Sequence, residues 1–466
     1  MAAGSYAGPV IPVLTPAEMA AVDAAAPEPV VELIERAGAA VAREALRLLG
    51  GGYGRRAVVL AGKGNNGADG RSAARRLRRR GVRVQVIEAH AAPYQLPPAD
   101  LVIDAAYGTG FRGEYRAPLV APGTPVLAVD IPSGVSGLTG EAAERVLAAD
   151  RTITFAALKP GLLLEPGRSL AGAVALADIG LDVSRATTHL VEGADVAAVL
   201  PRRRATAHKW DSAVMVVAGS PGMTGAAHLT AAAAQRAGAG MVRLATPGLD
   251  DDPRRPTEAV GLRLPDDGWA EAVSRELHRF RALVVGPGLG TSLATRGGVR
   301  LLLGSAPVAA VVDGDGLAAV GRDLDVVRDR VAATVLTPHD GEFARLAGDR
   351  PGPDRIAAAR QLAADAGAVV LLKGPTTVVA HPQGAARVVA AGDQRLATAG
   401  TGDVLSGVIA ALIAQGVPPF DAAAVGAWLH GRAAALGPDR GLVATDLLAL
   451  LPDALAEVGR EPEAGP

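Results

Sequence analysis

Short apolar runs recur along this chain, each closed by a glycine-rich turn and followed by a helical pattern. From residue 55, RRAVVLAG leads into KGNNGADGRSAARRLRRRG, and VRVQVIEA, DLVIDAAYGTG, TPVLAVDIPSG, RTITFAAL and GAVALADIG follow. Runs that are apolar at every position, alternating with helices, predict a mainly parallel sheet covered on both faces. Residues 17–49 read as helices packing on that sheet. The pattern pauses at 193–212, GADVAAVLPRRRATAHKWDS, which reads as a linker. A second series follows: DSAVMVVAGS, a helix over 223–238, MVRLATP, ALVVGPGLG, VAAVVDGDGL, ATVLTPHDGE and AVVLLKGPTTVVA, then helices over 402–415, 421–436 and 444–456. The prediction is two α/β domains, 1–195 and 196–466, rather than one large sheet.

Composition narrows the chemistry. The 466 residues are 49% hydrophobic and 20% charged, the proportions of a globular chain of two or three domains. Cysteine is absent, which excludes disulfides, thiol nucleophiles and zinc–thiolate sites. Net charge is -1 and aromatics are 3%, so neither an anionic surface nor stacked single-stranded nucleic acid is an expected partner. The basic runs RRLRRRG (75–81) and PRRRATAHK (201–209) are short, and the first fits the exposed face of a helix. The first 30 residues lack a signal-peptide pattern, and no apolar run is long enough to span a bilayer. The expectation is a cytoplasmic protein, without membrane contact, forming a homo-oligomer.

Polar groups collect where the apolar runs end. GKGNNGADG (62–70) follows a strand and opens a helix, where free N–H groups favour an anion. A tight turn alone is the plainer reading, but it needs neither Asn65 and Asn66 nor Asp69. Asp104, Asp130, Ser133 and Lys159 lie at or just after neighbouring strand ends, so all four should face one crevice. An acid and a lysine there serve either as an acid–base pair or as a salt bridge closing the sheet edge.

The motifs GNNGADG, DAAYGTGFRGE, AVDIPSG and FAALKPG, in this order, resemble the NAD(P)H-hydrate epimerase domain of the YjeF N-terminal family. The resemblance covers about residues 10–190 and implies a Rossmann-like three-layer domain. It implies that Asn65, Asn66, Gly67, Ala68 and Asp69, with Gly108, Thr109, Gly110, Phe111, Arg112, Gly113 and Glu114, hold a dinucleotide hydrate, and that Asp130 contacts it. It further implies a potassium ion on Asn66, Asp104 and Ser133, and a catalytic pair of Asp130 and Lys159. Ala68 departs from the usual glycine, and its methyl group would narrow the approach of a phosphate.

LATAGTGDVLSG (396–407) opens a helix and carries no lysine, so it is not a nucleotide-binding P-loop. Fixed amides at a helix start stabilise charge growing on a transferring phosphoryl group, and Asp403 beside them suits a proton acceptor. Asp403 as a plain helix cap is the alternative. The stretch resembles the anion hole of ribokinase-like enzymes. With VAGSPGMTGAAHLTAAAAQRAGAGMV, VVGPGLG, VVDGDGL, LTPHDGEFARL and LLKGPTTVV, it closely resembles the ADP-dependent NAD(P)H-hydrate dehydratase domain over about 205–455. This implies a ribokinase-like three-layer fold. It implies hydrate contacts at Ala226, Gly288, His339 and Asp403, and nucleotide contacts at Lys373, Gly374, Pro375, Thr376, Thr377 and Gly402. His339 alone would be judged a loop or core histidine. Asp340 and Gly314 depart from the family pattern, and Asp340 would place a charge beside His339.

Together the two resemblances imply metabolite repair, with NADH hydrate and NADPH hydrate as substrates. The hydrate carries a hydroxyl on the ring carbon beside the nicotinamide nitrogen. The first domain would interconvert its R and S forms, by ring opening or by loss and return of water. The second would dehydrate the S form: Asp403 takes the hydroxyl proton, the oxygen attacks the terminal phosphoryl of ADP, and the nitrogen lone pair expels phosphate. ADP, K+ and Mg2+ are the implied cofactors. The alternatives are a ribokinase-like kinase of a sugar or vitamin precursor with a dinucleotide-binding first half, and a non-catalytic dinucleotide sensor.

Overall fold

The structure is a computed structural model that describes residues 11–111, 113–249, 252–265 and 268–458. Contacts divide the chain into two compact units, Ile11–Thr188 and the chain from His189 onward. Each is an α/β unit.

In the first unit a six-stranded sheet runs in the order Arg83–Glu88, Arg56–Ala61, Leu101–Ala105, Val126–Val129, Arg151–Phe155, Ala173–Ala177, with every neighbouring pair parallel. Ala57, Val59 and Ala61 pack with Val41 and Ala45 of the helix Val30–Leu49 and Leu77 of the helix Asn65–Arg79. Val58 and Leu60 belong to a separate cluster with Leu96, Val102 and Ala128. Alternate strand residues thus enter two cores, which is why both parities of these strands are apolar.

The second unit holds strands in the order Ala386–Val389, Thr377–Ala380, Val369–Leu372, Thr334–Leu336, Ala309–Val312, Ala282–Val285, Ala213–Val217, Met241–Ala245, Val260–Leu262. From Val369–Leu372 onward the pairs are parallel; the first two pairs are antiparallel. Helices Thr224–Arg236, Thr401–Ala414, Pro419–Leu436 and Ala444–Val458 share a core with Val214, Val216, Val284 and Val311. Two helices approach closely because residue 407 is glycine: an added Cβ would lie 2.2 Å from the Thr230 carbonyl oxygen. Thr230 in turn donates its hydroxyl to the Asp403 carbonyl at 3.1 Å. Gly407→Ala is therefore expected to push the helices apart, costing about 1–3 kcal/mol of stability, read by thermal or denaturant unfolding.

Three expectations change. Residues Gly193–Val199 of the expected linker form a helix, because Glu192 and Asp195 make a reciprocal capping box that satisfies its first N–H groups. AVVLLKGPTTVVA is two antiparallel strands rather than one, turning at Lys373–Thr376. Val260–Leu262 and Ala386–Val389 are additional strands, too short for periodicity to announce. Among the described residues, no helix is long and apolar enough to cross a membrane.

Candidate active sites

In the first unit a cavity of about 530 Å³ opens beyond the carboxyl ends of the parallel strands. Its wall includes Asn65, Asn66, Asp69, Gly108, Thr109, Gly110, Phe111, Asp130 and Lys159. Helix Pro16–Ala25 contributes Met19 and Asp23. The Asn-rich turn is compact: a Cβ on Gly67 would lie 1.9 Å from the Gly62 carbonyl oxygen, so only glycine lets the helix start this close to the strand end.

Asp130 is placed by an unusual backbone. It follows the strand Val126–Val129 with φ +68°, and Ile131 N–H bonds back to the Val129 carbonyl at 2.9 Å. Ala156 repeats the geometry after the next strand, with φ +60° and Ala157 N–H bonded to the Phe155 carbonyl at 2.7 Å. Positive φ outside glycine costs of order 1 kcal/mol or more and clusters at functional sites. The turns bring Asp130 Oδ1 to 2.6 Å from Lys159 Nζ. Lys159 is buried, and also donates to Thr154 Oγ1 at 2.8 Å and the Phe155 carbonyl at 3.1 Å. Thr154 donates to Asp130 Oδ1 at 3.0 Å.

Burial, then the charges of Asp130 and Asp23, push the Asp69 carboxyl up to about 8. Burial also raises Asp23, against the pull of Lys159. Tyr107 and Phe111 meet in the cavity wall with centroids 4.3 Å apart and ring planes inclined by 40°, an apolar aromatic pair bordering the cavity.

The four strand-end groups do not share one crevice. Asp104 and Ser133 are fully buried and lie outside the cavity wall. Ser133 donates its hydroxyl to Asp104 Oδ1 at 2.6 Å and its N–H to Oδ2 at 2.9 Å, and Tyr107 N–H donates to Ser133 Oγ at 2.9 Å. Gly108, the next residue, faces Asn66, whose Cγ would be 3.4 Å from an added Cβ. Both amide atoms of Asn66 are buried without a hydrogen-bond partner. An unpartnered amide oxygen, a buried carboxylate and a hydroxyl gathered around one backbone turn suit a hard, weakly charged cation such as potassium. Gly67 and Ala68 lie outside the wall, so the Ala68 methyl does not narrow the cavity as its position in the motif suggested. Gly113 and Glu114 are exposed and also lie outside it; Arg112 falls outside the described residues.

In the second unit the site forms beyond the carboxyl ends of five adjacent parallel strands. Gly219 and Ser220 follow the first, Gly286–Gly290 the second, Asp313–Asp315 the third, Thr337–His339 the fourth, and Lys373 the fifth. Ser220 Oγ donates to the Gly288 carbonyl at 2.9 Å. A Cβ on Gly288 would lie 3.0 Å from Ala226 Cβ, so these two expected hydrate contacts do come together.

The helix Thr401–Ala414 begins against this row, with Gly400 as its left-handed N-cap. Lys373 Nζ lies 3.4 Å, and Asp313 Oδ2 3.8 Å, from where a Gly402 Cβ would be. Lys373 Nζ sits 2.8 Å from Asp313 Oδ1 and 3.6 Å from Glu342 Oε2, and Ser406 Oγ donates to Asp313 Oδ2 at 2.8 Å. Burial alone would raise Asp313; Lys373 beside it, with hydrogen bonds from Lys373, Ser406 and Thr337, holds it below the usual range. Burial, then the charge of Asp313, push Asp403 up to about 7 against the opposing pull of Lys373. An ammonium, open helix-start amides and a basic carboxylate thus meet at one point.

His339 is the N-cap of the helix Asp340–Ala347: its Nδ1 accepts from Gly341 N–H at 3.0 Å, while Glu342 Oε2 accepts from His339 N–H at 2.9 Å. Asp340 does not hold this ring, contrary to expectation. It pairs with Arg355 at 2.8 Å, and Arg355 also donates to the Lys373 carbonyl at 2.8 Å. The departure therefore braces the Lys373 turn. Gly374 borders Arg355, Thr376 is buried at the base of the turn, Thr377 opens the following strand and Pro375 is exposed. Gly314 adopts φ +53°, which favours glycine there. The reading of the sequence missed Asp313, Glu342, Ser406 and Asp23. The acid in VVDGDGL, at a strand end next to other site strands, was the available signal for Asp313.

The family model described as NAD(P)H-hydrate dehydratase matches residues 214–455, and the YjeF-related protein N-terminus matches 30–97 and 87–161. The bifunctional NAD(P)H-hydrate repair enzyme Nnr of Moorella thermoacetica is 38% identical, over 97% of this chain and 98% of its own. That of Mycobacterium tuberculosis is 40% identical over 82% and 84%. Among solved structures, the ADP/ATP-dependent NAD(P)H-hydrate dehydratase of Bacillus subtilis, co-crystallised with ATP and Mg2+, is 28% identical with a TM-score of 0.50, covering 57% of this chain and 97% of that one. With both halves matched in order, and with near-complete coverage of a relative well above 30% identity, the chain belongs to the family of bifunctional NAD(P)H-hydrate repair enzymes.

Proposed function

We propose that the two units divide the repair: the Ile11–Thr188 unit interconverts the R and S hydrates of NADH and NADPH, and the second unit dehydrates the S form at the expense of ADP. The observation that carries this reading is the meeting of Asp403, the helix start at Gly402 and the Lys373 ammonium. That arrangement can grip a terminal phosphoryl and strip a proton from the hydroxyl attacking it. The helix-start amides hold the phosphoryl oxygens where negative charge grows. Lys373 supplies positive charge beside them, and Asp313 and Ser406 keep it aimed. Ala226 and Gly288 border the hydrate, and His339 holds the neighbouring helix start toward it. Among the described residues, no three His, Asp or Glu side chains form a metal cage. A magnesium ion carried on nucleotide phosphates needs none, because Mg2+ keeps several of its waters; bound there, it would neutralise charge between the phosphates.

In the first unit Asp130 takes the hydroxyl proton, and Asn65, Asn66, Thr109 and Phe111 border the dinucleotide. Asn66, Asp104 and Ser133 would hold K+, which would fix the Asn-rich turn against the Tyr107–Gly108 backbone. The protein is proposed to work in the cytoplasm as a homo-oligomer.

The test is recovery of absorbance at 340 nm when the protein meets each hydrate epimer separately with ADP. Repair of both epimers, with AMP and free phosphate as products, is the expected result. A stable phosphorylated product would favour the sugar or vitamin kinase, and binding without nucleotide consumption would favour a sensor.

A further inference from the structure

Lys159 has no proton to spare. An ammonium carries three N–H donors, and this one faces three oxygens: Asp130 Oδ1 at 2.6 Å, Thr154 Oγ1 at 2.8 Å and the Phe155 carbonyl at 3.1 Å. It holds Asp130 in position. Yet exchanging configuration at the hydroxyl carbon needs one group that takes a proton and another that gives one.

Asp69 meets the second requirement. It lines the same cavity as Asp130 and is 7% exposed. It lies on the helix Asn65–Arg79, about one turn beyond Asn65 and Asn66 and on their face. Among the described residues nothing hydrogen-bonds its carboxyl, whereas the buried Asp104, at the end of the strand Leu101–Ala105, accepts from Ser133 and from the Ala106 N–H. A plain binding role for a carboxylate toward a dinucleotide phosphate would be repulsive. We propose that Asp69 is the proton donor of epimerisation, working with Asp130 in the same cavity. This deepens, and rests on, the reading of the first unit as the epimerase.

The electrostatics agree. Burial first, then the charges of Asp130 at its strand end and Asp23 on the helix Pro16–Ala25, both acids, push the Asp69 carboxyl up to about 8. The ammonium of Lys159 is committed to Asp130. In the ring-opening route the hydroxyl proton passes to Asp130, and its oxygen forms the carbonyl. The ring carbon–nitrogen bond breaks, its electrons go to nitrogen, and nitrogen receives the proton of Asp69. Rotation presents the other carbonyl face; closure returns both protons. In the water route the proton of Asp69 goes to the departing hydroxyl, and the nitrogen lone pair fills the carbon–nitrogen bond. Water re-entering on the other face returns a proton to Asp69.

The experiment follows conversion of the R hydrate to the S hydrate by the full chain, without ADP, as a function of pH. For the wild type, kcat should fall as pH rises through about 8. Asp69→Asn should lower kcat about 10²-fold, leave KM within about twofold and abolish that limb, and Asp69→Glu should restore about 10-fold. A raised KM with unchanged kcat, or an unchanged pH profile, overturns the proposal; should the Asn variant not fold, a wild-type profile flat above pH 7 does so. Asp130→Asn in the same assay separates the two readings. If it too leaves conversion at full speed, the epimerase site itself is misplaced; if it alone stops conversion, only the role of Asp69 falls.

Discussion

Asp403→Asn is expected to slow ADP-dependent dehydration about 10³-fold, within the range of a positioned general base, and at the same time to raise the thermal stability of the protein. Both effects have one cause. Burial and the charge of Asp313 push the Asp403 carboxyl up to about 7, far above its ordinary 3.8. A base with that affinity takes the substrate hydroxyl proton readily, and kcat/KM for the wild type should rise with pH up to about 7 and then level off. The same shift costs stability. Below about pH 4 the carboxyl is protonated both folded and unfolded, so it contributes nothing. Between about 4 and 7 only the unfolded chain ionises, and folding weakens as pH rises. Above 7 the full cost is present. An amide removes it, so the variant should gain roughly a few degrees in Tm at pH 8 and nothing at pH 4. Dehydration assays and calorimetry across this range check the two halves independently. Full activity in the variant would remove Asp403 from the chemistry, and equal Tm values at pH 8 would mean its carboxyl is not held in the buried, acid-crowded setting described.

Asp130→Asn is the second large effect, expected to slow epimerisation about 10³-fold while the S hydrate is still dehydrated at the wild-type rate. Asparagine is the informative replacement because it tolerates the φ of +68° at this position better than alanine does. The variant keeps the shape of the turn and the hydrogen bond from Thr154. What it loses is the charge opposite a buried ammonium: Lys159 is 2% exposed. Leaving a buried charge without its counter-charge costs about 3–5 kcal/mol when one partner of a pair is removed. The variant should therefore unfold earlier than the wild type, the opposite direction from Asp403→Asn. The contrast follows from what each acid faces. Asp130 sits 2.6 Å from an ammonium, whereas Asp403 sits beside other acids and shares the Lys373 ammonium with Asp313 and Glu342.

Much of each site could be read directly from the chain. Strand ends carry their own signal, since an apolar run followed by glycines and one or two polar residues marks a place where ligands bind in a parallel sheet. That pointed to Asn65–Asp69, Asp130, Lys159 and Lys373; the glycine-rich helix start pointed to Asp403, while Gly108–Glu114 and Gly288 came only from the family resemblance. Three kinds of information were not there to be read. Asp23 lies on a helix before the first strand of the sheet, and nothing local distinguishes it from any solvated helix acid. Asp313 and Ser406 meet at 2.8 Å although 93 positions separate them. Asp340 was expected to act on its neighbour His339, but a residue at a helix start can as easily reach across the turn, and Arg355 was within reach.

By itself, then, the order of residues determined which elements form, because hydrophobic period and turn chemistry act over a few positions, and it determined which short segments carry reactive groups. Only the tertiary structure decided how those groups divide the work. It buried Asp104 and Ser133 behind the cavity, spent all three donors of Lys159 on its neighbours, left Asp69 unpartnered and placed an ammonium at the start of the Asp403 helix. Proton affinity and orientation depend on burial and on the nearest charge, and both are set by segments that only folding brings together.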